Sequence, residues 1–266
     1  MAISVLSSAE GAGSAGATTG AADSTGANFA VVGITGAGLS ATPSDNKSST
    51  YTNRTLEAPG VTIECRLSYS LIAGTGADHT VTFSEASSFS TVLALFASGL
   101  HATTPYDTES AGAFVAPGTS LQPGSLTPAN AGSLIVAVLV HDDAITDLAI
   151  DSGFTILNPG TVPFAGGTNY GGAIAYLVQG AAAAVNPTWS WTNSVTGVAA
   201  MAAFAPAAAA SSGAGVNRGL VNGGTNGGIN GGLIRRSMET ARKVGSLWLP
   251  GDNRIIRPRY VPGFSF

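Results

Sequence analysis

The amino-acid sequence predicts an all-β protein: an antiparallel, jelly-roll-like β-sandwich built from two sequence-similar halves, followed by an extended C-terminal arm that can hold a short helix. Three observations predict it. The first 205 or so residues contain an internal repeat, their apolar runs have strand length and are broken by turn residues, and composition and charge change abruptly beyond position 210.

The repeat organises the body. Phe29-Ala30-Val31-Val32-Gly33-Ile34 has a counterpart 105 residues on in Leu134-Ile135-Val136-Ala137-Val138-Leu139, and a small polar turn precedes each. Further along, Leu71-Ile72-Ala73-Gly74 aligns with Leu177-Val178-Gln179-Gly180, and Val81-Thr82-Phe83-Ser84 with Pro187-Thr188-Trp189-Ser190, both at an offset of 106. Thr91-Val92-Leu93-Ala94-Leu95 aligns with Gly197-Val198-Ala199-Ala200-Met201 at the same offset. Two long copies suit duplication within one sandwich; a solenoid or propeller would show many short ones.

Within each copy the periodicity is that of strands. Residues 61–71 alternate apolar and polar, which puts Cys65 and Leu67 on a core-facing side and Thr62, Glu64, Arg66, Ser68 and Ser70 towards solvent or a neighbour. Residues 29–34 and 134–140 are continuous apolar runs, the pattern of strands buried on both faces. Thr42-Pro43-Ser44-Asp45-Asn46 and Asn158-Pro159-Gly160 supply turn geometry between runs. The alanines of 94–98 and 199–210 favour helix intrinsically, but propensity is a weak prior and the repeat assigns both segments to a final strand, with a helical turn allowed at 207–210.

Composition narrows the class. Charged residues are 10% of the chain and apolar ones 44%, with 36 glycines, so the chain has the apolar content of a packed fold and a surface poor in charge. The longest uncharged, apolar run near the end of the body, 197–210, contains Pro206 and is shorter than the ~18–20 residues of a membrane span, so no membrane partner is expected. The first eight residues carry no basic leader and no long apolar core, so secretion is not expected and the product is expected to stay in the cytoplasm where it is made or to leave by lysis. The single cysteine, Cys65, allows no internal disulfide and reads as a buried strand residue.

Charge divides the chain. Up to position 210, three basic residues face thirteen acidic ones, a net −10; beyond it, eight basic residues face Glu239 and Asp252, a net +6. An acidic body with a basic tail implies that the tail meets an acidic surface. The organisation expected is a first half-sandwich over 1–105, a second over 106–210, a Gly/Asn-rich linker over 211–232, and a basic, aromatic docking arm over 233–266.

Chemistry-bearing patterns are sparse. His79, His101 and His141 lack metal-ligand spacing and read as surface or turn residues, and His141-Asp142-Asp143 reads as a solvated acidic turn. Serines are abundant, yet no Gly-x-Ser-x-Gly elbow is present and no base can be assigned to any of them, so no catalytic residue, metal or cofactor is expected. Gly11-Ala12-Gly13-Ser14-Ala15-Gly16 satisfies a nucleotide-binding glycine string without a βαβ context and reads as a loop. Asn46-Lys47-Ser48 and Asn53-Arg54-Thr55 would matter only in a secretory compartment. Tyr69, Tyr170, Tyr176, Trp189 and Trp191 could form a sugar-binding surface; Trp189 and Trp191 share a strand face, and core packing is the expected role of that face.

The arm begins with a four-residue repeat, Asn222-Gly223-Gly224-Thr225 to Asn230-Gly231-Gly232-Leu233, which buries little by itself. Residues 233–247 fit a short amphipathic helix with Met238, Ala241 and Val244 on one side. Arg235, Arg236, Arg254, Arg257 and Arg259 supply charge, and Trp248, Tyr260, Phe264 and Phe266 supply aromatic anchors; these nine are the candidate interface. Arginine and aromatic residues anchor interfaces most often, and the prolines among them lower the entropic cost of ordering an extended peptide.

The body, with Gly26-Ala27-Asn28-Phe29-Ala30-Val31-Val32-Gly33 followed by Asp45-Asn46-Lys47-Ser48-Ser49-Thr50-Tyr51-Thr52, resembles the small-residue-rich β-sandwich proteins of tailed-bacteriophage virions: capsid decoration, head-spike or tail-associated components. The resemblance covers residues 3–205. It implies a non-enzymatic virion protein whose partners are capsid, portal or tail subunits and sister subunits; the alternative is a carbohydrate-binding module that takes a host surface polysaccharide. Nucleic-acid binding by the arm, which would weaken steeply with salt, is not expected, because its arginines are scattered among prolines.

Overall fold

The computed structural model describes residues 2–208 except 59, 61, 86–89, 111, 144, 146 and 164–170. The first half of the body contributes β1 (Ser4–Gly13), β2 (Ala17–Thr18), β3 (Phe29–Gly36), β4 (Ser44–Asp45), β5 (Thr52–Glu57), β6 (Glu64–Leu71), β7 (Val81–Phe83) and β8 (Ser90–Ser98). The second half contributes β9 (Tyr106–Glu109), β10 (Ala113–Leu121), β11 (Ser133–His141), β12 (Ala149–Ile150), β13 (Thr155–Pro163), β14 (Gly171–Gln179) and β15 (Trp189–Phe204). No helix occurs among the described residues, so the alanines of 94–98 and 199–204 are strand, as the repeat requires.

The two main sheets are antiparallel, and each takes its strands from one half. Their orders match: β1-β8-β3-β6-β5 in the first and β10-β15-β11-β14-β13 in the second, where β9 and β12 add to β15. They pack face to face, with β3 over β11, β6 over β15 and β14 over β8, as an approximate two-fold axis through the sandwich demands.

Three apolar layers result. Between the sheets lie Phe29, Val31, Leu67, Leu93 and Leu95 of the first half against Leu134, Val136, Val138, Ile174 and Phe204 of the second. The alternate residues of the same strands, Ala30, Val32, Ile34 and Phe96, are covered on the outside by Val81 and Phe83 of the small sheet β2-β7-β4. On the other outer face, Ile135, Ala137, Leu139 and Met201 lie beneath Trp189, Trp191 and Phe154. This explains why β3 and β11 are buried at every position: each has a core on both sides.

The repeat is visible in the fold, but its register differs from the sequence alignment. Phe29 pairs with Leu71 and Ala97, and Leu134 pairs with Val178 and Phe204. The centre strands therefore correspond at an offset of 105 and the two flanking strands at 107, one residue from the 106 that side-chain similarity suggested. In a strand a one-residue slip exchanges the faces. At 106, Leu71 would match Leu177, which packs in the outer layer, whereas Leu71 itself packs between the sheets.

Three further expectations are corrected. His79 and His141 are buried, not surface residues, because both sit where strands enter covered layers. Arg66, Ser68 and Ser70 point away from the inter-sheet core yet meet protein instead of water, since residues 39–53 fold over that face. Gly11 and Gly13 of the glycine string belong to β1, and only the turn that follows is loop.

Candidate functional site

One open site among the described residues is a cleft of about 500 Å³ at the seam between the halves. One wall comes from the first half: Thr50 and Thr52 at the start of edge strand β5, and Tyr69, Ser70 and Leu71 from the end of β6. The other comes from the second half, through Thr103, Thr104, Pro105 and Tyr106, which lead into β9. The volume lies within the usual ~300–1,000 Å³ of small-ligand sites.

Both walls are braced. Tyr106 carries the Arg54 guanidinium on its ring, with Cζ 3.6 Å from the centroid, and Tyr69 stacks on Tyr106 at 6.1 Å with planes 14° apart. Tyr69 also meets Phe204 at 5.4 Å and Phe29 at 6.1 Å, so the aromatic series runs from the cleft into the inter-sheet core. Arg54 Nε and Nη2 each donate to Glu109 across the seam at 3.1 Å, and Thr55 Oγ1 donates to the same carboxylate at 2.6 Å. Burial pulls the Arg54 pKa down, but the bonds to Glu109 and its charge more than offset this and hold it above the ordinary value. Burial also pushes Glu109 up, and the bonds from Arg54 and Thr55 outweigh that, leaving it below the carboxylate range. At nearby Glu57, burial and the Glu109 charge together raise the pKa.

His101 holds the second wall. Its Nδ1 faces the amide and hydroxyl of Thr104 at 3.2 Å and the amide of Thr103 at 3.4 Å, while its own amide donates to Ala205 O. Seven of the nine lining side chains carry a hydroxyl and none is charged; Arg54 and Glu109, which brace the walls, neutralise each other.

A second polar constellation is closed. His79 Nε2 donates to Asp45 Oδ2 at 3.0 Å and its Nδ1 meets Ser24 Oγ at 2.9 Å, with the His79 and Asp45 side chains wholly inaccessible. Tyr51 OH donates to the same Asp45 oxygen at 3.1 Å, and the Lys47 and Ser49 amides donate to Oδ1. Burial raises the Asp45 pKa, but the bonds from Ser49, His79 and Lys47 outweigh it and keep the carboxyl below its usual range; burial and the Asp45 charge push the Tyr51 phenol far up. The residue types are those of a serine nucleophile site, but the imidazole is reversed. In such sites the serine bonds Nε2 and the carboxylate Nδ1, and the serine must reach substrate, whereas Ser24 is fully buried. The arrangement fastens the loop before β3, the turn after β4 and the start of β7 together. Sequence reading missed it because its members are 21 and 34 residues apart with no local motif.

Among the other predicted residues, Trp189 and Trp191 are core, as expected, and Trp191 Nε1 donates to Gly118 O at 2.9 Å. Tyr69 and Tyr176 are partly buried and occupy equivalent positions of the two sheets. His141 Nδ1 donates to Asp143 O at 2.6 Å, and burial lowers its pKa. Among the described residues no three His, Cys, Asp or Glu side chains gather as a metal set. Tyr170 and all nine candidate interface residues, Arg235, Arg236, Trp248, Arg254, Arg257, Arg259, Tyr260, Phe264 and Phe266, lie outside the described residues, as does the segment expected as a short helix. No protein family, curated protein or solved structure matches the chain.

Proposed function

We propose that the chain is a non-enzymatic structural component of a tailed-phage particle, a sandwich displayed on the surface and fixed by its C-terminal arm to capsid, portal or tail subunits. The observation that carries this reading is the division of charge, −10 on the body against +6 on a tail rich in arginine and aromatic residues, with an Asn-Gly-Gly repeat between them. An anchor needs to be separable from the body and to differ from it in surface chemistry, and the sequence supplies both. The Ser24–His79–Asp45 grouping supports a passive role as well, since it is sealed and bonded internally.

The test is assembly with a chain truncated after Ala210. Particles made with it should lack the protein although the truncated body melts like the full chain. Incorporation at the normal level would overturn the anchoring role.

A further inference from the structure

We infer that the seam cleft between Tyr69 and Tyr106 is a binding site for a neutral saccharide. The inference does not rest on the anchoring role.

The chemistry of the lining selects the ligand class. Seven hydroxyl-bearing side chains line it; Ser70 is committed to Thr50 O and Leu71 O, while the exposed Thr50, Thr52, Thr103 and Thr104 present groups that both donate and accept, which is what a polyhydroxyl ligand presents in return. An anionic ligand would need an uncommitted cation, and Arg54 is engaged by Glu109 at Nε and Nη2 and by the Tyr106 ring. A cation would need a carboxylate in the lining, and none lines the cleft; Glu109, which braces it, is bonded to Arg54 and Thr55. The apolar area of the walls, from Leu71, Pro105, the tyrosine rings and the threonine methyls, is interspersed with hydroxyls, which suits the mixed faces of a sugar better than a lipid chain.

The geometry favours rigid, hydrogen-bonded recognition over ring stacking. Tyr106 is packed by Arg54 and Tyr69, and Tyr69 by Tyr106, Phe29 and Phe204, so the rings are held in place and contribute mainly their hydroxyls and edges. Thr103 and Thr104 are positioned by His101 before any ligand arrives. Pre-set groups spare the ligand the cost of ordering them. The matching position on the other sheet makes the contrast: Val178, equivalent to Leu71, lines a cleft of about 350 Å³ with Ile3, Pro206 and alanines, which has few groups for a sugar.

The test uses the full chain and saturation-transfer NMR with glucose, galactose, N-acetylglucosamine and maltotriose as probes, beside glucuronate and a neutral pentapeptide. At least one neutral sugar should receive transfer and shift the ring protons of Tyr69 and Tyr106. The exposed pair T50V/T52V should weaken that binding about 10-fold while melting like wild type, because two hydroxyl bonds of ordinary strength are lost. Phe114→Ser, on β10 away from the cleft, should bind unchanged. Absence of transfer from all four neutral sugars would overturn the inference, as would preference for glucuronate or peptide, ring shifts confined to other residues, or undiminished binding by the threonine pair.

Discussion

Gly33 on β3 lies directly against Val138 on β11, and the two are equivalent positions of the duplicated sheet. A Cβ at position 33 would stand 3.0 Å from Val138 Cγ2 and 3.4 Å from Ile174 Cδ1. The contact falls on the approximate two-fold axis, where each position meets its own counterpart. Two valines could not both occupy it, so the halves divide the space unequally. Gly172 repeats the device off the axis: a side chain there would run into Thr35 and Thr91, whose hydroxyls are bonded to each other, whereas its counterpart Cys65 belongs to the apolar cluster that holds Val140 and Val198.

The first prediction follows from that division. Gly33→Ala should cost about 1–3 kcal/mol by overpacking, and Val138→Ala a similar amount by leaving a void. The double variant exchanges excess for deficit and should be less destabilised than the two costs added, by more than about 0.5 kcal/mol. Chemical denaturation of the four proteins measures it; strict additivity would mean that the two side chains do not share the space.

The same region shows what the sequence made legible. The runs at 29–34 and 134–140 were readable as doubly buried strands because a core on both faces removes every polar position. The duplication was readable for the same reason. The true register was not, because Ala, Val, Gly and Leu substitute freely in such strands and similarity cannot distinguish an offset of 106 from one of 107. Pairing can, because Leu93 and Ala200 face the same layer from opposite Gly33 and Val138. The cleft was only partly legible: Tyr69 stood out as an aromatic, but Tyr106, Arg54 and Glu109 come together through folding across the seam.

A second prediction concerns Arg66, which strand alternation placed on the outer side of β6 and which is 5% exposed. Its Nη1 donates to Leu39 O at 3.4 Å and its Nη2 to Ala41 O, while Glu85 accepts from the Ser40 and Ala41 amides and Glu64 from the Leu39 amide. Burial lowers the guanidinium's pKa despite the nearby charges of Glu85 and Glu64. Arg66→Met keeps the packing stem and removes the donors, leaving two carbonyls without them. A loss of about 2–3 kcal/mol is expected, with amide exchange at residues 39–41 accelerating more than that in β3. Equal acceleration throughout would mean that Arg66 supports the sheet and not the loop.

The Arg54–Glu109 pair makes a third prediction, set by pH. Glu109 has a folded pKa held below its unfolded value of about 4.3, so it contributes stability above that value and loses it as pH falls through the folded pKa. Glu57 is raised and therefore acts in the opposite direction, its contribution declining as pH rises. Both side chains of the pair are about one-fifth exposed, at 23% and 21%, and solvent screens them, so Glu109→Gln should cost no more than about 1 kcal/mol at pH 7. Melting from pH 7 into acid should show the wild-type advantage shrinking and then vanishing as pH falls through the folded pKa of Glu109. An advantage constant across the range would show that the hydrogen-bond geometry and not the charge of Glu109 carries the contact.

The closed grouping of Ser24, His79 and Asp45 gives the last prediction. Asp45 accepts from His79, Tyr51, Lys47 and Ser49 while inaccessible to water, so its two oxygens are fully used as acceptors. Asp45→Asn replaces one acceptor with a donor, which must then face either the tyrosine and imidazole or two amides. Some buried donor loses its partner in either orientation, at about 2–4 kcal/mol, and the small sheet that covers Phe96 and Val32 should loosen first. His79→Phe should also be costly, by leaving Asp45 buried with one bond fewer, although the ring already packs 4.5 Å from Phe96 and its volume is kept. In Ser24→Ala the loss should be smaller, about 1 kcal/mol, since Gly76 N and Nδ1 each lose one bond to a single hydroxyl. That ranking, Asp45 and His79 well above Ser24 in denaturation midpoint, is what a structural clasp requires. An ester-hydrolysing activity abolished by Ser24→Ala with no change in stability would identify the group as a nucleophile site instead.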